Sequence, residues 1–270
     1  MKNKKISKNT MLIVIMFAVW LIIAAAIVYM TLTVHTASSE RKIPVYRVVT
    51  DEKKVAVTFN CAWDDSSTDS VLRTLREHGV RCTFFFVGDY ARKYPEDVRK
   101  IINDGHEPAN HSDRHLSPLK QSYTELLEDI SSCNDTVKTI TGKECKLYRA
   151  PSGEYCNDAI SAAESLGMTA VQWDVDSLDW KEKTPAEMLE KIRTKTVNGS
   201  VILFHLGKAN TAEALPDIID YLQSSGYTLV TVSELLPDGE YEILHDGAAK
   251  LLTDKSLSES TAAAAEKNKK

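Results

Sequence analysis

Two histidines four residues apart, in His111-Ser-Asp-Arg-His115, have the spacing of imidazoles that converge on one metal ion. Alone the pair is weak, because two histidines at this spacing also arise by chance after a strand, and on a helix they would share one face. Its weight comes from company. Arg149-Ala-Pro-Ser-Gly153, Asp176-Ser-Leu-Asp-Trp180 and Leu203-Phe-His205 follow in order, and each closes an apolar run where the pattern predicts the end of a strand. In a repeated strand–helix fold the ends of parallel strands gather at one face, so these distant clusters would form one site. Their residue types are those of a hydrolase.

A carboxylate added to His111 and His115 would complete a metal site with positions open to water and substrate. Zinc suits the nitrogen-rich donors, with other first-row divalent metals also open. Arg149, two residues before Pro151, is placed to pair with a catalytic carboxylate and tune its pKa. The turn Pro151-Ser-Gly153 can present backbone N–H groups to an anion around Ser152; the bland alternative is a surface turn. Asp176, Asp179 and Trp180 set carboxylates beside an aromatic ring, which suits a sugar or a histidine that needs an orienting partner, while Trp180 as core filling is equally open. His205 ends the apolar Val201-Ile-Leu-Phe204 and is placed as a general acid. Leu203 points to the same side of that strand and would wall an apolar pocket beside it.

The elements that must position these residues alternate from Val45 to Leu236. Val55–Phe59, Cys82–Val87, Glu107–His111, Leu147–Arg149, Thr169–Trp173, Ser200–His205 and Thr228–Val232 read as strands. Between them Asp69–Gly79, Pro95–Gly105, Ser122–Gly142, Asn157–Gly167, Pro185–Thr196 and Ala212–Ser225 read as helices, several closed by glycine. This alternation predicts an α/β domain with a parallel sheet. No Gly-x-Gly-x-x-Gly follows the first strand, which weakens a dinucleotide-binding reading, and motifs scattered over so many strand ends favour a barrel over an open sheet.

Lys2, Lys4, Lys5 and Lys8 precede Met11–Thr33, a run of 23 residues without a charge. As a helix it would span roughly 35 Å, enough to cross a bilayer, with the lysine end in the cytoplasm. An uncleaved anchor is favoured over a signal peptide, whose apolar core is usually about 7–15 residues. The expected plan is an anchor over 1–33, a linker over 34–44, the α/β domain over 45–236 and a flexible tail over 237–270. Without the four N-terminal lysines the formal charge moves from −5 to −9, which argues against nucleic acid as a partner. The five cysteines, Cys61, Cys82, Cys133, Cys145 and Cys156, make no recognised zinc or redox motif, and a Cys133–Cys145 bridge is one open pairing.

Over about Val45 to Leu236 the chain resembles the polysaccharide deacetylases with a NodB-homology domain, metal-dependent enzymes that remove N-acetyl groups from chitin-like glycans and peptidoglycan. The resemblance is carried by His111 and His115, by Arg149, Pro151 and Gly153 with Ser152 in place of an aromatic residue, by Asp176, Asp179 and Trp180, and by Leu203 and His205. It implies a distorted (β/α) barrel of seven or eight strands, both histidines on the metal, and His205 as the catalytic acid. An anchored bacterial branch with Ala-Trp after the first strand is most similar. The first motif departs from the family's Thr-Phe-Asp-Asp-Gly-Pro: here it reads Thr58-Phe59-Asn60-Cys61-Ala62-Trp63. Asn60 stands where the family has its general base and cannot take a proton from water. The missing ligand is expected at Asp64 or Asp65, Asp64 or Asp113 is a substitute base, and Cys61 as a thiolate ligand is a further alternative. The implied function is N-deacetylation of cell-wall glycan outside the membrane; the alternative is a glycan-binding relative that Asn60 has made weak or inactive.

Overall fold

Along β2 (Lys54–Cys61) Val55, Val57, Phe59 and Cys61 alternate with Ala56, Thr58 and Asn60, and all seven are buried. A strand buried on both faces belongs in the middle of a parallel sheet covered by helices. The computed structural model, which describes residues 8–36 and 41–252, places it there. β2 pairs in parallel with β3 (Thr83–Phe86), β8 (Val201–His205) and β9 (Thr228–Val230). The sheet continues through β4 (Glu107–Asn110), β5 (Leu147–Tyr148) and β6 (Thr169–Ala170) on one side and ends at β7 (Val175–Asp176), beside β8, on the other.

Period-two alternation divides the interior. Val57, Phe59, Cys61, Phe84 and Phe204 pack outward against α2 (Thr68–Glu77), α7 (Pro185–Lys195) and α8 (Ala209–Ser224). Ala56, Phe85, Ala109, Leu147, Val171 and Val201 fill the concave side. The sheet is a curled parallel half-barrel, which fits the expected distorted barrel. Its seam between β6 and β7 is spanned by the residues entering the domain: Val45 bridges to Val171, and Arg47 to Ser200.

Around the sheet lie α3 (Gly88–Lys93), α4 (Pro95–Asn103), α5 (Tyr123–Thr141), α6 (Asn157–Ser165) and α9 (Val232–Leu235). Ser122 and Glu125 close a capping box at the start of α5, and Gly142, at φ 72°, ends it. One expectation is corrected. Residues 237–252 are not tail: β10 (Tyr241–Ile243) and β11 (Ala248–Leu251) form a hairpin, and β11 pairs in parallel with β1 (Arg47–Val48). Ala248 and Ala249 are fully buried there, small residues whose burial composition alone does not reveal. Residues 253–270 and 37–40 lie outside the described residues. All five cysteines are free, with Cys133 and Cys145 buried in the outer core.

The chain divides into two compact units, 1–41 and 42–270. The first holds α1 (Lys8–Thr36). Several of its side chains, those of 27–36 included, lie outside the described residues, and among the described residues no helix is long and apolar enough to cross a membrane.

Candidate active site

Every polar cluster singled out in the sequence sits at the carboxyl end of a strand. Asn60 closes β2, His111 follows β4, Arg149 follows β5, Asp176 closes β7 and His205 closes β8. These ends surround a cavity of about 250 Å³ lined by Asn60, Trp63, His111, His115, Ser152, Trp173, Asp176, Trp180, Leu203 and His205. Parallel pairing in register, Asn60 opposite His205 and Phe85, brings residues 145 positions apart to one level.

The two histidines sit on a tight loop. Ser112 and His115 both take positive φ, 70° and 54°. The loop is held by Asn110 Oδ1, which accepts from Ser112 N–H at 2.8 Å, and by Ser112 Oγ, which accepts from His115 N–H at 3.0 Å. The rings meet edge to face with centroids 4.9 Å apart. His111 Nδ1–H donates to the Arg149 carbonyl at 2.8 Å, which leaves Nε2 with its lone pair toward the cavity. Burial holds both imidazoles below their ordinary pKa, and His115 lowers that of His111 further.

At the opposite wall Asp179 is 1% exposed and does not line the cavity. Its Oδ1 accepts from His205 Nδ1–H at 2.7 Å, and its Oδ2 accepts from His205 N–H at 2.6 Å and Thr211 Oγ1 at 2.7 Å. Asp179 therefore positions His205 and leaves the imidazole Nε2 facing the cavity. Asp176 accepts from Leu178 N–H at 2.8 Å and from Trp180 Nε1 at 3.4 Å, which aims the indole across the opening. Trp180 is 46% exposed, so it is not core filling. Ser152 sits in its turn at φ 57° and Leu203 forms part of the floor.

Arg149 is fully buried, its guanidinium 3.8 Å from the Phe85 ring centroid. Among the described residues it meets no carboxylate: Nη1 donates to Thr58 Oγ1 at 3.0 Å and Asn60 Oδ1 at 2.9 Å, and Nη2 to the Gln172 carbonyl at 3.0 Å. Burial pulls its pKa down to about 9.

Asp64 and Asp65, expected as the relocated metal ligand, find partners away from the cavity. Asp64 Oδ1 accepts from Ser66 N–H at 3.0 Å, a bond that with the Ser66 hydroxyl lowers its pKa, and the Asp64 backbone lies against Gly207. Asp65 turns toward Asp97, and burial followed by that shared hydrogen bond raises its pKa. Neither lines the cavity. Asp113 is not a substitute base either, since both its oxygens accept from Arg92, at 2.8 and 2.9 Å. Cys61 faces the outer core, one residue out of phase with Asn60, and burial raises its thiol pKa. Among the described residues no group of three His, Cys, Asp or Glu side chains could hold a metal ion. Two imidazoles without a carboxylate do not make the three-ligand set that the resemblance implies.

Two tryptophans not proposed as site residues also line the cavity. Trp63 packs against His205 with ring centroids 4.7 Å apart and the planes tilted by 48°, and lies under Lys208 Nζ at 4.2 Å, and Trp173 flanks Arg149 at 5.5 Å. The Ala-Trp pair after the first strand marked Trp63 in the sequence; nothing marked Trp173.

Residues 47–171 match the family described as polysaccharide deacetylase. A peptidoglycan-N-acetylglucosamine deacetylase of Bacillus cereus is 30% identical over 189 residues, covering 68% of this chain and 69% of that protein. The chain belongs to the polysaccharide deacetylase family. The Bacillus subtilis protein YlxY is 32% identical over 206 residues, 76% of this chain, and the matched region spans 64% of that relative's length. Among solved structures BA3943 of Bacillus anthracis, described as a pseudoenzyme of carbohydrate esterase family CE4, superimposes with a TM-score of 0.71. It is 27% identical, with 78% of this chain and 73% of that one covered. A mutant of BA3943 is described as having restored enzymatic activity.

Proposed function

We propose that this cleft takes an N-acetylated glycan of the cell wall and that the chain, though built on an N-deacetylase scaffold, binds that glycan with hydrolysis reduced or lost. The observation that carries the reading is Asn60 at the end of β2, held by Arg149 at 2.9 Å where a deacetylase of this family needs a carboxylate base. The pseudoenzyme BA3943, similar in fold at 27% identity, supports it. Exposed Trp63 and Trp180, each with a lysine over its ring, supply the flat faces on which sugar rings stack.

The divalent metal, most naturally zinc, that the family implies would polarise an amide carbonyl and acidify bound water. His111 and His115 are the residues that would meet it, but the donor set falls short. The chain's own residues do the following. His205, oriented by Asp179, points Nε2 at the cavity, where it can give a proton to a departing amine or hold a hydrogen bond. The turn at Ser152 and the wall at Leu203 shape the space for the acyl group. Loss of a general base typically forfeits about 10²–10⁴ in rate.

A second reading, a working N-deacetylase, is favoured by the intact His205–Asp179 pair. Acetate released from acetylated chitooligomers and peptidoglycan, with zinc added and His205→Ala as background, separates the two. Binding without acetate is the expected result, and acetate above the background would favour the second. The 23-residue uncharged run and the lysines before it support a membrane anchor with the cleft outside the cell, which fits a wall polymer as ligand.

A further inference from the structure

Arg149 decides which end of the Asn60 amide faces the cleft. Its guanidinium is immobilised by stacking on Phe85, by the Gln172 carbonyl at 3.0 Å and by the Val171 carbonyl at 3.4 Å. Guanidinium nitrogens only donate, so Asn60 must turn its oxygen toward Nη1. Thr58 shares that nitrogen as an acceptor because its own hydroxyl donates to the Ile202 carbonyl at 2.8 Å. The Asn60 Nδ2 is left with no protein partner among the described residues and is not sealed away from the cavity that Asn60 lines. A carboxylate at this place would only accept; the clamped amide offers two N–H donors instead.

The same cavity holds an acceptor. With Nδ1–H committed to the Arg149 carbonyl, His111 presents an unprotonated Nε2. One donor and one acceptor on a shared cleft complement a secondary amide, whose carbonyl accepts and whose N–H donates. A sugar that lacks an amide meets them only through rotatable hydroxyls, without the fixed carbonyl and N–H of an acetamido group.

We propose that Asn60, clamped by Arg149, is a specificity-determining residue: its Nδ2 donates to the carbonyl of an intact N-acetyl group while His111 Nε2 accepts the amide N–H, so the cleft reads acetylation without a metal ion. This rests on the glycan reading above. It differs from a disabled enzyme site, because Asn60 here contributes a contact that the carboxylate could not make.

The test is calorimetric binding of the full chain, in detergent and EDTA, to N-acetylchitotetraose and to cellotetraose, a neutral glucan of the same linkage without acetamido groups. The expected result is about tenfold or greater preference for the acetylated tetramer, the scale of one or two hydrogen bonds. Asn60→Asp, isosteric and able to pair with Arg149, should keep the fold and lose that preference. Equal affinity for the two tetramers, or an Asn60→Asp variant that keeps the preference in EDTA, overturns the inference and leaves glycan binding standing. Absence of binding to both tetramers and to whole peptidoglycan overturns the glycan reading and this inference together.

Discussion

At the scale of single residues the site turns on the buried cation of Arg149, whose charge no carboxylate offsets among its hydrogen-bond partners. Taking a charge out of water costs several kcal/mol unless it is paired. Asn60→Asp places a carboxylate on the nitrogen that now holds an amide, 2.9 Å away, and should raise the unfolding midpoint in denaturant by about 1–3 kcal/mol of stability. An unchanged or lower midpoint would show that the stacking on Phe85 and the two carbonyls already suffice. Asp179→Asn tests the opposite wall. An amide oxygen can still accept from His205 Nδ1–H, but the partner at Oδ2 becomes an NH₂ that faces another donor, the His205 N–H. The expected cost is about 2–3 kcal/mol of stability, with the His205 ring resonance in a proton spectrum moving as its orientation loosens. Asn60 itself was legible as a departure from a motif, but the direction its amide faces was not, since that follows from the Arg149 guanidinium just after β5 and from the Val171 and Gln172 carbonyls after β6 that accept from it.

At the scale of elements the histidine loop depends on a clamp that runs through Asp113. This carboxylate holds Arg92 on α3 with both oxygens, and its backbone N–H donates to Asp129 Oδ2 on α5 at 3.0 Å. Asp113 lies over Gly88, where a Cβ would come within 2.0 Å of Oδ1 and 3.1 Å of Cα. Gly88→Ala should therefore push the loop away from α3, costing about 1–3 kcal/mol and weakening glycan binding by displacing His111 and His115, both read in one denaturation and titration series. Elsewhere in the sheet His106 is buried, accepts from Cys82 N–H through Nδ1 at 3.2 Å, and has its pKa lowered to about 4 by burial. The sign follows from the two end states. Between 6.5 and about 4 the unfolded chain binds the proton and the folded chain does not, so stability falls as pH drops through that window and is retained above it. The loss is on the order of 3 kcal/mol, and His106→Gln should flatten the slope.

At the scale of the whole α/β unit, closure depends on the chain's entry and exit. Val45 and Arg47 bridge the seam of the half-barrel, and β1 is in turn paired with β11 of the last hairpin. Val49 N–H donates to the Ala249 carbonyl at 2.8 Å, and Tyr46 N–H to the Gly247 carbonyl at 2.8 Å. A chain ending after Leu236 should melt well below one ending after Leu252, because it uncovers β1 and with it the seam behind Gln172 and Trp173. Equal melting temperatures would show that β1 holds the seam unaided.

The layers were legible in local pattern alone: period-two alternation in β2 and β8, apolar periodicity in the helices, and polar clusters at strand ends all depend on neighbours a few residues apart. It also named eight of the residues that line the cleft, because strand ends in a parallel sheet must gather at one rim. Where each of those side chains looks is set by contacts between distant elements. Asp64 and Asp65 are close in sequence to Asn60 but turn toward Ser66 and Asp97, Asp113 belongs to Arg92, and Asp179 sits behind His205. The hairpin after residue 236 escaped the reading for the same reason. Its strands are too short to show a period, and the burial of Ala248 and Ala249 comes with pairing to β1, about 200 residues away in the chain.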